Sequence, residues 1–296
     1  MSERPNFFII GAPRSGTTSV YYWLKEHPEV YMSPEKEPNF FYSPFGNEMS
    51  QNEYESLFTD RKKEHSIVGE ASVWYLFSGY AVDRILDYQP DAKFLVLLRN
   101  PVKMILSLHD QHVYCGYEKE TDFKKAWQLS DKREKGLFIK VAKLGKNADA
   151  TFMSYRKACK IGTQLQKVYD KVGKERIASV LTEDLQKDPL NEYNKLLNFL
   201  DLKYYGKTEF PVKNQTENRI PTLQERFKIK LNKLTQSMGL NIGLLQNVFE
   251  NQTYERKKYE EYSLNFQLEL LHNFKSEIIK LEELLSKDLS HWKSLR

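Results

Sequence analysis

Four short, mainly apolar runs mark the first two thirds of the chain: "FFII" at 7–10, "IVGE" at 67–70, "FLVLL" at 94–98 and "IASVL" at 177–181. None alternates polar with apolar residues, so each reads as a strand covered on both faces, as in a parallel sheet. Between them the apolar spacing turns helical, over 17–26, 79–88, 101–114, 155–172 and 189–200. Strands alternating with helices predict an α/β, doubly wound fold, a central parallel sheet flanked by helices. In such sheets ligands collect beyond the carboxyl ends of the strands. Gly11, Glu70 and Arg99 each close or follow one of these runs.

The last third reads differently. "ERFKIKLNKL" and "EYSLNFQLELLHNFKSEIIKLEELL" carry apolar residues at helical spacing with charges between, which predicts additional C-terminal amphipathic helices packed on the sheet. "FPVKNQTENRIPTL" at 210–223 is a long polar loop, and no repeat or low-complexity tract interrupts the chain. The expectation is one domain over 1–296, with its core at about 5–225 and a helical extension at 226–296.

The loop after the first run, "GAPRSGTT", nearly spells the phosphate-binding rule G-x-x-x-x-G-K-[ST], with Thr17 where the lysine stands. Its backbone amides and the following helix start still suit an anion. Arg14 offers a bidentate clamp for a small tetrahedral group, and Thr17 and Thr18 add hydroxyls. Without the lysine, or a strand-terminal aspartate for a metal, a triphosphate with magnesium is poorly served. A P-loop nucleotide or small-molecule kinase using ATP and magnesium is the alternative reading, beside a turn with no ligand.

Composition narrows the partners. A net charge of +5, with both signs mixed along the chain, suits a small anion and falls short of a nucleic-acid footprint. Cys115 and Cys159 offer neither a disulfide framework nor zinc spacing. No stretch approaches the ~18 apolar residues of a membrane helix. A cytoplasmic protein without a membrane span is expected.

"GAPRSGTTSVYYWLKEHPEVYMSPEKEPNFF" resembles the 5′-phosphosulfate-binding segment of sulfotransferases that use 3′-phosphoadenosine 5′-phosphosulfate (PAPS). It is most similar to soluble bacterial members, which are akin to heparan sulfate and tyrosylprotein sulfotransferases. "FLVLLRNPVKMILSLHDQHV" resembles the family's 3′-phosphate site, where a strand-closing arginine and a helix serine, here Arg99 and Ser107, hold the nucleotide. "TDFKKAWQLSDKREKG" and "KIGTQLQKVYDKVGKERIASVLTEDL" extend the resemblance over most of residues 5–225. The chain departs from the pattern at Ile161, where an aromatic residue is common, and in "NQTENRIP", which carries fewer basic residues than usual.

The resemblance implies a metal-independent enzyme moving a sulfuryl group from PAPS to a hydroxyl acceptor, leaving adenosine 3′,5′-bisphosphate. Gly11, Ala12, Pro13, Arg14, Ser15, Gly16, Thr17, Thr18 and Ser19 would hold the phosphosulfate, with Arg219 a lid contact. Arg14 and Lys36 would stabilise the transferring and leaving groups. For the general base the resemblance points to Glu70, in "GEASVWYLF", although Ala71 replaces the family's lysine; desolvation there would raise its pKa. His109 and His112, three apart on one helix, are the rivals. Trp74 and Tyr75 either line an acceptor pocket or pack the core, and Tyr21, Tyr22 and Trp23 are assigned to packing. The acceptor, whether small molecule, glycan or carrier-tethered, stays open, as does a non-catalytic module that binds the bisphosphate.

Overall fold

The computed structural model describes residues 4–46, 48–137, 147–213 and 258–295. All four expected strands form, and a short fifth joins them: β1 Phe7–Gly11, β2 Val30–Met32, β3 Ile67–Ala71, β4 Lys93–Leu98 and β5 Ile177–Leu181. They pair in parallel in the order β2-β3-β1-β4-β5. The chain therefore starts at the centre, goes to the edge at β2, returns inward to β3, and crosses β1 to β4 on the other side. That reversal opens a crevice at the carboxyl ends of β1 and β4.

The sheet is apolar on both faces because both are covered. Phe8, Ile10, Phe94, Val96 and Leu98 enter one layer, while their neighbours Phe7, Ile9, Leu95 and Leu97 enter the other. Each such side chain, fully withdrawn from water, contributes about 1.5–3 kcal/mol. The helices in chain order are α1 Thr17–Lys25, α2 Gln51–Ser56, α3 Ala81–Tyr88, α4 Pro101–Cys115, α5 Phe123–Gln128, α6 Ser130–Glu134, α7 Tyr155–Ala158, α8 Ile161–Val172, α9 Thr182–Lys187, α10 Pro189–Phe199 and α11 Leu264–Leu285. The first layer packs under α3, α4, α8 and α11, the second under α1 and α10.

Where the structure departs from expectation, the reason is local. β2 has only three residues, with Tyr31 half-buried between Val30 and Met32, too short for a pattern to register. The helix expected over 155–172 divides at Cys159–Lys160, where Lys160 leaves the helical region (ψ 54°). The second piece starts against α11. Glu277 of α11 accepts from Thr163 N at 2.7 Å and from Thr163 Oγ1 at 2.8 Å, so a carboxylate from another helix serves one of the amides at the α8 start. The helices approach so closely that a Cβ on Gly162 would lie 2.5 Å from the Glu277 carbonyl oxygen. Gly162→Ala is accordingly expected to cost about 1–3 kcal/mol, read as a lowered thermal midpoint with the active-site region unchanged.

α11 bears out one of the two C-terminal helices. Phe266, Leu270, Phe274, Ile278 and Leu281 recur at helical spacing and join the core of the first layer. The other, within "ERFKIKLNKL", lies outside the described residues. No helix among the described residues is long and apolar enough to cross a membrane.

Candidate active site

β1 ends in the glycine-bearing loop and α1 begins directly beyond it. Gly16 sits in the left-handed region (φ 91°) at the N-cap, which a side chain adopts only at a cost, while a Cβ there would meet nothing closer than 3.5 Å. At Gly11 the constraint is space, since a Cβ would lie 2.7 Å from that of Leu76. The first turn of α1 has no side-chain cap and no acidic residue, so its dipole presents partial positive charge to an anion. Thr182, the residue following β5, donates its hydroxyl toward the carbonyl oxygens of Ser15 and Leu98, both at 2.9 Å, and pins the loop to the end of β4.

Two arginines and a serine meet at this point. Arg14 Nε donates to Ser107 Oγ at 2.9 Å, and Arg99 Nη1 donates to the Arg14 carbonyl oxygen at 2.9 Å. Arg99 follows β4, and Ser107 lies two turns into α4, whose start is fixed by Pro101 and by the Asn100 side chain accepting from Val102 N. Ser107 itself is fully buried behind Arg14 and does not line the cavity. Its hydroxyl meets Arg14, so the structure places it one side chain back from the cavity where the resemblance implied a direct phosphate contact.

These elements border a cavity of about 700 Å³. Among the described residues its charged walls carry Arg14, Lys36, Arg99 and Lys213 against one carboxylate, Glu37. Pro13, Gly16, Thr17, Thr18 and Ser19 also line it, whereas Gly11, Ala12 and Ser15 shape the loop from beneath. Lys213 reaches the cavity because its amide donates to Ser19 Oγ at 2.9 Å and Trp23 Nε1 holds the Pro211 carbonyl at 3.0 Å. Arg219, the expected lid contact, lies outside the described residues. Another part of the wall is aromatic. Phe45 stacks on Tyr117 at 5.0 Å, and Trp74 stacks on His112 at 6.1 Å, with Phe152 behind both pairs. Trp74 thus lines the cavity, and Tyr75 does not.

The residue expected to be the base is elsewhere. Glu70 is wholly buried, accepting from Ser72 Oγ at 2.7 Å and from the Tyr54 and Tyr75 hydroxyls at 3.0 Å each. In register it stands beside Phe8, so its side chain enters the first helix layer instead of rising over the strand end. Burial, only partly offset by those three hydroxyls, pushes its pKa up to about 7. His109 is likewise away from the cavity, its Nε2 donating to the Glu120 carbonyl at 2.8 Å, and burial lowers its pKa. His112 does line the cavity. Burial and then nearby positive groups push it down to about 3, so it stays neutral and is a feeble base at pH 7.

Among the described residues the carboxylate that does reach the cavity is Glu37, beside Lys36, and spacing alone does not mark it. Its Oε2 accepts from Val73 N at 3.0 Å, and Lys36 Nζ contacts its Oε1. The "EKEPNFF" segment was the available signal, and for Thr182 it was the strand-end rule itself. Among the described residues no cluster of three or more His, Cys, Asp or Glu could hold a metal ion.

Comparison with known proteins agrees with this geometry. A family model described as a sulfotransferase domain matches residues 4–220. The chain is 32% identical to the membrane-associated sulfotransferase kil1 of Dictyostelium discoideum over 108 residues, 35% of this chain and 22% of that protein. It is 31% identical to carbohydrate sulfotransferase 15 of Rattus norvegicus over 162 residues, 40% of this chain. It spans only 22% and 28% of the length of these two relatives. The crystal structure of a sulfotransferase from Alicyclobacillus acidocaldarius shares the fold, with a TM-score of 0.69 at 24% identity, covering 98% of this chain and 99% of that one. With the domain model matched along most of its length, and the phosphate-binding loop at the mouth of its sheet, the chain belongs to the sulfotransferase family.

Proposed function

We propose that the protein transfers a sulfuryl group from PAPS to a hydroxyl-bearing acceptor, without a metal, with Glu37 as general base. The observation that carries this reading is the composition of the cavity: among the described residues, an uncapped helix start and four cations converge on a space with a single carboxylate. That is a site for a molecule carrying anionic groups at both ends, and the donor supplies an activated sulfuryl group whose leaving group is a phosphate.

In this reading Thr17, Thr18 and the loop amides hold the peripheral oxygens of the 5′ end, and Arg14 spans them. Arg99 and Lys213 take the remaining negative charge. Lys36 neutralises the charge that develops on the leaving oxygen. Glu37 accepts the acceptor's hydroxyl proton as the new O–S bond forms. The Phe45, Trp74 and Tyr117 wall covers the acceptor and keeps water from competing. Glycans, as for the carbohydrate sulfotransferase relative, are one acceptor class consistent with this site.

Thermal unfolding with added nucleotide tests the reading. Adenosine 3′,5′-bisphosphate at a hundredfold excess over its dissociation constant stabilises by about 2.7 kcal/mol, so a rise in midpoint of roughly 4 °C is expected without magnesium. A rise with ATP and magnesium, and none with the bisphosphate, would restore the kinase alternative, which Thr17 and the family match otherwise disfavour. Ser107→Ala unties Arg14 and is expected to weaken bisphosphate binding about 3- to 10-fold, measured by calorimetry.

A further inference from the structure

Beneath the cavity lies the buried carboxylate that the proposed reaction leaves unused. Glu70 is surrounded by three hydroxyls, and two of them reach onward. Ser72 Oγ donates to Glu70 Oε2 at 2.7 Å and accepts from the backbone N–H of Asn39 at 3.1 Å. Tyr75 donates its hydroxyl proton to Glu70 Oε1 at 3.0 Å and accepts from the backbone N–H of Phe41 at 3.2 Å. Tyr54 donates the third bond, at 3.0 Å, from α2.

A hydroxyl has one proton to give. Once ionised, from about pH 7 upward, the Glu70 carboxylate can only accept, so it draws both protons toward itself and turns the oxygen lone pairs toward Asn39 and Phe41. One buried group thereby fixes two amides in the segment that follows Lys36 and Glu37.

That segment needs holding. Glu37 and Asn39 both sit in the left-handed region, at φ 66° and 54°, on either side of Pro38. Side chains other than glycine rarely adopt it unless their surroundings enforce it. Further bonds complete the clasp. Glu37 N donates to the Ala71 carbonyl at 2.9 Å, Asn39 Nδ2 donates to the Glu37 carbonyl at 2.7 Å, and Val73 N donates to Glu37 Oε2 at 3.0 Å. Residues 71–75 and 37–41 are thus stitched together around Glu70, and the outward side of the seam presents Lys36 and Glu37 to the cavity.

We infer that Glu70 is a positioning residue, acting through the Ser72 and Tyr75 hydroxyls to set the backbone that carries Lys36 and Glu37. The inference rests on the sulfotransferase reading for its catalytic meaning, and on the bond network alone for its structure. The position held by the base in the sequence-based expectation is, in the fold, the support of the base.

The test uses the full chain and three variants: Glu70→Gln, Ser72→Ala and Tyr75→Phe. Glutamine leaves one accepting oxygen and puts an amide N–H against a hydroxyl that already donates, whereas the other two each remove one arm. Amide hydrogen exchange over residues 36–45 and the carbon-13 resonance of the Glu37 carboxyl, assigned by its loss in Glu37→Gln, report the seam. Midpoint shifts with adenosine 3′,5′-bisphosphate report the nucleotide site.

The expected result is a tenfold or greater loss of protection at Asn39 in Ser72→Ala, at Phe41 in Tyr75→Phe, and at one or both in Glu70→Gln. The Glu37 resonance should move in all three, with the bisphosphate shift kept. Unchanged protection and an unmoved resonance in the variants that fold would overturn the inference, as would loss of protection spread evenly over the chain. A wild-type protein that ignores the bisphosphate refutes the sulfotransferase reading and leaves the seam to be judged by exchange alone.

Discussion

Replacing Glu37 by glutamine is expected to lower the rate of sulfuryl transfer by about a hundred- to ten-thousand-fold, the range for loss of a positioned general base. The amide oxygen can still accept from Val73 N, so the loop should keep its shape. The contact with Lys36 is weakened, yet the cations around the nucleotide are untouched. Binding of adenosine 3′,5′-bisphosphate should therefore stay within about twofold while turnover collapses, a split that separates a base from a donor-binding residue. Turnover within threefold of the wild type would remove Glu37 from the proton transfer. His112 offers no easy substitute, since a neutral imidazole that protonates only near 3 takes up a proton reluctantly at pH 7.

The second large effect is on stability against pH, and it comes from two buried groups with opposite signs. His112 is favoured neutral in the fold, so its contribution is fully present above its ordinary value of 6.5 and is lost as pH falls toward about 3. The full loss is about 5 kcal/mol, comparable to the whole stability of many domains. Glu70 is favoured protonated, so its contribution is full below 4.5 and is lost as pH rises toward about 7, a span worth about 3 kcal/mol. Between pH 4.5 and 6.5 these two slopes nearly cancel; below 4.5 Glu70 no longer contributes, and His112 acts together with His109, whose pKa burial also lowers.

The thermal midpoint should accordingly run nearly flat from pH 6.5 to 4.5 and then drop steeply. His112→Phe fits the surrounding rings of Trp74, Phe152 and Tyr155, and it forfeits no partner of Nδ1 among the described residues. In that variant the acid drop should soften, and as pH falls from 6.5 to 4.5 the midpoint should rise relative to the wild type, because the opposing slope of His112 is gone while that of Glu70 remains. Identical profiles for the two proteins would contradict this assignment.

Much of the fold was legible because it rests on short-range patterns. The strands at 7–10, 67–70, 94–98 and 177–181 are apolar on both faces, a signal that survives without knowing their partners. β2 was not legible, since three residues cannot show a period. The break at Cys159–Lys160 was hidden for another reason, as its cause sits on α11, more than a hundred residues downstream.

The site divides the same way. The anion loop and Arg99 follow from strand ends alone. Choosing between Glu70 and Glu37 required the register of β3 against β1, which turns Glu70 away from the crevice, and the path of residues 33–41, which returns Glu37 to it. Neither is encoded in spacing. The same holds for Ser107, whose place behind Arg14 depends on how α4 lies against the loop.

The central claim is that the mouth of the sheet grips a nucleotide by both of its anionic ends, and a crystal of the protein soaked with adenosine 3′,5′-bisphosphate in the absence of magnesium tests it most directly. The account predicts one phosphate at the amides of the α1 start within hydrogen-bond distance of Thr17 or Thr18, the other on Arg99, and Arg14 lying between them. A bisphosphate bound elsewhere, or a cavity left empty at saturating concentration, would contradict it.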